Sequence, residues 1–291
     1  MQMQKRLRRL VAIVSATALA GSPLLWAPPG ATATDAPTAA RAAIPHVTAT
    51  LTKKSIKLAG AVALRAGRVT LSVKGKGTVE FAMFKAGYDS DDFTADVNRF
   101  GAKNDIKALK RALAHTQILG GFAGGGSGTI VFPRAGSYTP FSVGERGVVV
   151  GDSIAVRGPV RTSAVPRTDG RIIAKAGPAW GGSSHLPTKG RFLFKNKASS
   201  GVPHFVILQQ VAEGTTTDQV LEFLQSEEEG PPPSWALPAS METGSLSPGR
   251  SMTVDYDLPA GQYVVMCFFP DPKRGGMPHS LMGMLEMVHL M

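Results

Sequence analysis

The sequence predicts a mainly β protein, two tandem β-sandwich domains that each carry a helical insertion. Three observations lead there. Short runs of β-branched and aromatic residues recur roughly every ten residues between glycine and proline punctuation, the spacing expected of sandwich strands. One pattern occurs twice, as RAGRVTLSVKGKGTVEFAMF with GTIVFPRAGSYTPFSV, and again as TKGRFLFKNKASSGVPHFVIL with RSMTVDYDLPAGQYVVMCFF. Phe81 and Phe205, Gly136 and Gly261, and Tyr138 and Tyr263 then fall 124, 125 and 125 residues apart. Between the strands of each copy lies one stretch with helical periodicity.

Residues 1–33 read as a signal peptide. Lys5, Arg6, Arg8 and Arg9 precede the apolar run LVAIVSATALAG, and a small-residue stretch ends at Ala31-Thr32-Ala33. Arg8-Arg9 fits a twin-arginine route and an ordinary basic leader alike. No later stretch reaches the ~18 apolar residues of a membrane span, so the mature chain is expected to be secreted or extracytoplasmic, without an integral membrane segment.

Residues 34–155 form the first expected domain and 156–291 the second. Strands are predicted over Arg68 to Val73, Thr129 to Phe132, Arg191 to Phe194, Met252 to Tyr256 and Gln262 to Phe269. In the first copy Ile106, Leu109 and Leu113 mark a helix face behind a cap at Asn104 or Asp105. Its counterpart is TTTDQVLEFL, with Val220, Leu221 and Leu224 as the apolar stripe and the acidic run Glu227 to Glu229 as a solvated end. Gly120 to Gly128 reads as a flexible loop, and Asp89, Asp91 and Asp92 as a polar turn.

Composition narrows the function. The 32 basic residues outnumber the 21 acidic ones, but they are scattered and lack interleaved aromatics, so no nucleic acid partner is expected. One cysteine excludes an internal disulfide framework and a cysteine-based zinc module. No nucleophile elbow, phosphate-binding lysine loop, H-E-x-x-H or C-x-x-C occurs. A lone thiol in an exported chain needs burial or coordination to escape oxidation.

That thiol, Cys267, ends the strand LPAGQYVVMCFF, and Pro278-His279-Ser280-Leu281-Met282-Gly283-Met284 follows. His204 opens the long strand of the same copy in GVPHFVIL. This arrangement resembles the cupredoxin family of plastocyanin-like blue-copper domains over nearly all of residues 170–291. The resemblance implies a Greek-key sandwich and a copper site made of His204, Cys267, His279 and Met284, with Met282 as the other thioether on the same loop. A thiolate, two imidazoles and a weak thioether suit both copper oxidation states. The donor atoms of His204, Cys267 and His279 are then expected within roughly 4 Å of one another, about twice a metal–ligand bond.

The chain departs from the family in one place: eleven residues separate Cys267 from His279, where the family has two to four. The first copy is expected to be degenerate, with Glu80 at the position of His204 and Ser142 at that of Cys267. No H-x-H pair is present, so oxygen or nitrite chemistry is not expected and the protein is not an enzyme by itself. One-electron transfer or copper holding follows, with a redox or copper-exchange protein as partner. Pro270, Met277, Pro278, Leu281 and Met282 are expected to rim an exposed edge of His279, beside Lys273 and Arg274. The alternatives are a metal-free binding or adhesion module, and Cu(I) capture by Cys267 and the methionines. His46, His115, His185 and His289 have no partner at ligand spacing in the sequence.

Overall fold

The computed structural model describes residues 43–198, 201–226 and 231–291, so residues 1–33, expected to be a signal peptide, and the acidic run Glu227 to Glu229 lie outside the described residues. Strands β1 (His46–Leu51), β2 (Ile56–Ala59), β3 (Gly67–Lys74) and β4 (Thr78–Phe84) lead into helices α1 (Ser90–Lys103) and α2 (Ile106–His115). The first half closes with β5 (Thr116–Ala123), β6 (Ser127–Phe132), β7 (Gly136–Gly144), β8 (Gly147–Val150) and β9 (Ile154–Val156). Next come β10 (Gly170–Ala174), β11 (Trp180–Gly182), β12 (His185–Leu186), β13 (Lys189–Asn196), β14 (Ile207–Val211), α3 (Thr217–Gln225) and β15 (Ala236–Glu242). Last are β16 (Ser251–Asp257), β17 (Gly261–Met266), β18 (Pro270–Asp271), β19 (Met277–Pro278) and β20 (Leu285–Leu290).

The fold is mainly β, as the sequence predicts, with its sheets packed on a shared apolar core. Strands β3 and β13 alternate as half-buried strands must, with Val69, Leu71 and Val73 inward on one and Phe192, Phe194 and Asn196 on the other. The two halves share one eight-stranded sheet of order β11-β10-β13-β16-β6-β3-β1-β2. Each half adds its own second sheet, β5-β4-β7-β8 with β9 on β7, and β12-β20-β17-β14-β15. One apolar core, containing Leu71, Phe81, Tyr138, Phe194, Tyr263 and Cys267, runs through both halves.

The glycine-rich stretch is not a free loop. Gly120 to Ala123 belong to β5 and Gly128 to β6, whose residues Ser127, Gly128 and Thr129 pair with Asp255, Val254 and Thr253 to join the halves. A Cβ on Gly128 would lie 2.0 Å from the Thr253 carbonyl oxygen, so glycine is required by the closeness of the strands. The acidic triplet is likewise more than a turn. Asp89 caps α1, accepting from the amides of Asp91 and Asp92, and Asp92 reaches back to complete a capping box. Asp105 caps α2, whereas Asn104 ends α1 in the left-handed conformation.

Several positions that match between the halves in sequence also play the same part in the structure, and one does not. Gly136 and Gly261 open β7 and β17, and Tyr138 and Tyr263 each donate to the carbonyl four residues back, Arg134 at 2.8 Å and Pro259 at 2.9 Å. In the ladders, however, Glu80 stands opposite Phe141 and Ile207 opposite Met266. Ser142 thus does match Cys267, but Glu80 matches Ile207 and not His204. Relative to the 125-residue offset between Phe141 and Met266, two more residues precede β14.

Candidate metal centre

Cys267 is aimed by strand periodicity. β17 is buried on both faces, so Tyr263, Val265 and Cys267 enter the core between the sheets, while Val264 and Met266 pack in the cluster with Val220 and Leu224 of α3. The eleven-residue gap after Cys267 leaves the line of the site as a small hairpin. Pro270 pairs with Pro278 and Asp271 with Met277, around a 3-10 turn over Pro272–Arg274. The Asp271 carboxylate caps that turn at the Lys273 amide, 2.7 Å away, and Gly275 and Gly276 supply positive φ angles of 66° and 82°. The chain returns where it left. The His279 amide donates to Phe269 O at 3.2 Å and the Ser280 amide to Cys267 O at 2.7 Å.

His204 is held by a different device. It lies ahead of β14 and forms an isolated antiparallel bridge with Leu246, at 3.2 Å from the His204 amide and 2.7 Å from the Leu246 amide. The Asn196 side chain, fully buried, donates to Leu246 O at 2.8 Å and Val202 O at 3.3 Å and accepts from the Ala198 amide at 2.9 Å. It ties both ends of the segment carrying His204. On its other side Leu246 bridges Leu119 of β5, flanked by Gly244 N to Gly121 O at 2.8 Å and Ser247 N to Ile118 O at 3.0 Å. The first half of the chain therefore backs the ligand-bearing segment of the second. Asn196 was not singled out from sequence; its signal is a polar residue at the inward position of Phe192-Phe194-Asn196.

Three of the four predicted site residues converge. The ligand atoms of His204, Cys267 and His279 all lie within 4.8 Å of one another, somewhat wider than the expected 4 Å, and no other such group of three occurs among the described residues. Cys267 Sγ is 3.7 Å from His279 Nδ1, and the two imidazole rings are 4.5 Å apart between centroids at 36°. Exposure is 1% for His204, 0% for Cys267 and 3% for His279.

Met284, also fully buried, joins the same core as Cys267, whereas Met282 is half-buried. The Met284 backbone is anchored by its amide on His279 O at 3.0 Å and by the Trp180 indole N–H on its carbonyl at 3.1 Å.

Burial favours the neutral form of all three side chains. Burial pushes the Cys267 thiol up to about 12, against the opposing amides of Phe205 and Phe269. Burial, then the neighbouring His279, pulls His204 down to about 3. His279 is also lowered by burial, opposed by Asp271. Without a cation the cluster is therefore a thiol beside two neutral imidazoles. Both ring nitrogens of His204 lack any hydrogen-bond partner, as does Ser280 Oγ. A buried polar atom left unpaired costs ~1–3 kcal/mol, so two on one ring mark a side chain kept for something else. A bound cation would satisfy a His204 nitrogen and supply the charge a thiolate needs. The residues present fit a metal of the copper–zinc class.

One surface expectation is overturned. His279 has no exposed edge, and Pro278 of the expected rim is itself buried. The hairpin docks on α1 and α2 at Gly276, where a Cβ would sit 3.1 Å from Asn104 Oδ1 and Ile106 Cδ1. On the other flank the Gln225 side chain of α3 donates to Leu281 O at 3.4 Å. Lys273, Arg274 and Met277 remain exposed. Among the described residues no helix is long and apolar enough to cross a membrane.

No family model matches this chain, and no curated protein matches it. Among solved structures it is similar to auracyanin B at 24% identity, over 42% of this chain and 86% of that one, with a TM-score of 0.28. Reduced auracyanin from Roseiflexus castenholzii shows 19% identity over 42% and 94% of the two chains, at 0.25. A multicopper oxidase shows 11% identity over 84% and 88%, at 0.24. Likenesses this faint assign no residue, and the centre is argued from its own geometry.

Proposed function

We propose that this chain is a secreted, cupredoxin-like copper protein in which His204, Cys267 and His279 would hold the metal and Met284 would add a weak thioether ligand. The convergence of the three donors, with both His204 nitrogens unpaired, carries this reading. Copper in such a ligand set cycles between its two oxidation states with little rearrangement. The chain's part is to fix the donors beforehand. The Leu246 bridge and Asn196 hold His204, β17 aims Cys267, and the hairpin returns His279. Burial of the trio excludes water and shields the thiol from oxidation.

The protein so read passes single electrons or holds copper outside the cytoplasm and is not an enzyme by itself. Its partner is a redox or copper-exchange protein. Residues 1–33 direct export, 34–155 form a copper-free first domain and 156–291 the copper domain. Copper(II) titration of the mature protein tests the assignment. An intense thiolate-to-copper absorption that Cys267→Ala abolishes is expected. Colourless Cu(I) binding that survives His204→Ala would instead favour soft capture by sulfur, and no copper binding at all would leave a metal-free module.

A further inference from the structure

The fold brings together a second pair of side chains able to ligate a metal, outside the buried trio and open to solvent. His185 of β12 and His289 of β20 stand in direct register on parallel strands. In-register neighbours project to the same face about 4.8 Å apart. Their rings are 5.7 Å apart between centroids and only 24° from parallel. The strands are pinned there by the His289 amide on Ser184 O at 2.8 Å and the Met291 amide on Leu186 O at 3.0 Å. His185 is exposed, and the side chain of His289 is 39% exposed.

Each ring has an oxygen beside its Nδ1. Ser184 Oγ lies 3.0 Å from Nδ1 of His185, and the Glu213 carboxylate lies 3.9 Å from Nδ1 of His289. In metal sites an oxygen partner on one imidazole nitrogen fixes the ring and leaves the other nitrogen to the metal. Two protonated rings this close would repel, whereas two neutral rings with free Nε2 atoms offer a chelate. Apolar side chains would serve equally well to cover this sheet edge, so packing alone does not explain a pair of imidazoles with a carboxylate alongside.

We propose that His185 and His289 form a second, surface site for a divalent cation of the copper–zinc class, bound through the two Nε2 atoms and water, with Glu213 orienting His289. The site does not rest on the copper reading of the buried trio. Zinc(II) titration by calorimetry, on the full chain carrying Cys267→Ser, keeps the two apart. One zinc(II) should still bind, and His185→Ala and His289→Ala should each weaken it by at least about tenfold. Glu213→Gln should weaken it less. Circular dichroism should be unchanged, since the replaced side chains are on the surface. Absence of zinc(II) binding in the Cys267→Ser protein, or an isotherm indifferent to both histidine substitutions, would overturn the proposal.

Discussion

The two halves of the molecule use the same corner and end differently. Tyr138 and Tyr263 each close onto a carbonyl four residues back, and Gly136 and Gly261 open the strands that carry them. One residue past the matched positions Phe141 and Met266 stand Ser142 and Cys267. Both are buried, yet only Cys267 meets two imidazoles. The first half instead buries a carboxyl, Glu80, which has one oxygen near Ser245 Oγ at 3.4 Å and the other without a partner. A sandwich of this kind supplies a place for a ligand set, and two local additions fill it: the segment holding His204 and the hairpin that returns His279.

The largest expected effect comes from moving the thiol. In a Cys267→Ala background, Ser142→Cys should leave copper(II) affinity at least about 100-fold below the wild type and restore no colour, because no histidine pair faces residue 142. A restored absorption would break the contrast between the halves.

Next is the opposite pH response of the metal-free protein. Burial raises Glu80 from 4.5 to about 8, so the stability it permits is full below 4.5 and is lost as pH rises towards 8. His204 is lowered from 6.5 to about 3, so its share is full above 6.5 and is lost as pH falls towards 3. Glu80→Gln should remove Glu80's own share of the alkaline loss, worth on the order of 2–4 kcal/mol, leaving the smaller share of Glu242, which burial raises to about 7, and the acid loss intact. Urea unfolding at pH 5.5 and 8.5 reads this directly; parallel profiles for variant and wild type would sink it.

The corner itself offers a smaller, symmetric test. Tyr138→Phe and Tyr263→Phe each remove one hydrogen bond to a backbone carbonyl and should cost about 1 kcal/mol apiece. Unequal losses in denaturant midpoint would show that the two corners are not energetic equivalents. Smallest of these is Asp105→Ala, which removes the cap of α2 for up to about 1 kcal/mol and should not alter the copper absorption.

Much of this was legible in the sequence. Short β-branched and aromatic runs located β3, β13 and β16, and helical spacing located α2 and α3, because those signals are local. His279 and Met284 were singled out through P-H-x-x-x-G-M, Cys267 as the lone thiol ending its strand, and His204 through its place in the strand order. The hairpin over residues 270–278 was visible only as an excess of residues, since its pairing depends on Pro270 facing Pro278. The burial of His279 was missed for the same reason: α1 and α2, which flank the hairpin at Gly276, come from the other half of the chain. The Leu246 bridge and the His185–His289 pair left no spacing to read, being contacts between distant segments.

The sequence by itself determined the class of fold, the repeat and the identity of the candidate ligands, because side-chain periodicity and ligand chemistry are properties of neighbouring residues. Tertiary structure decided the register that sets Glu80 against Phe141, the cover over His279 and the meeting of His185 with His289. Those depend on which strand lies beside which, and strand pairing across a hundred residues is fixed by the packing of the whole core.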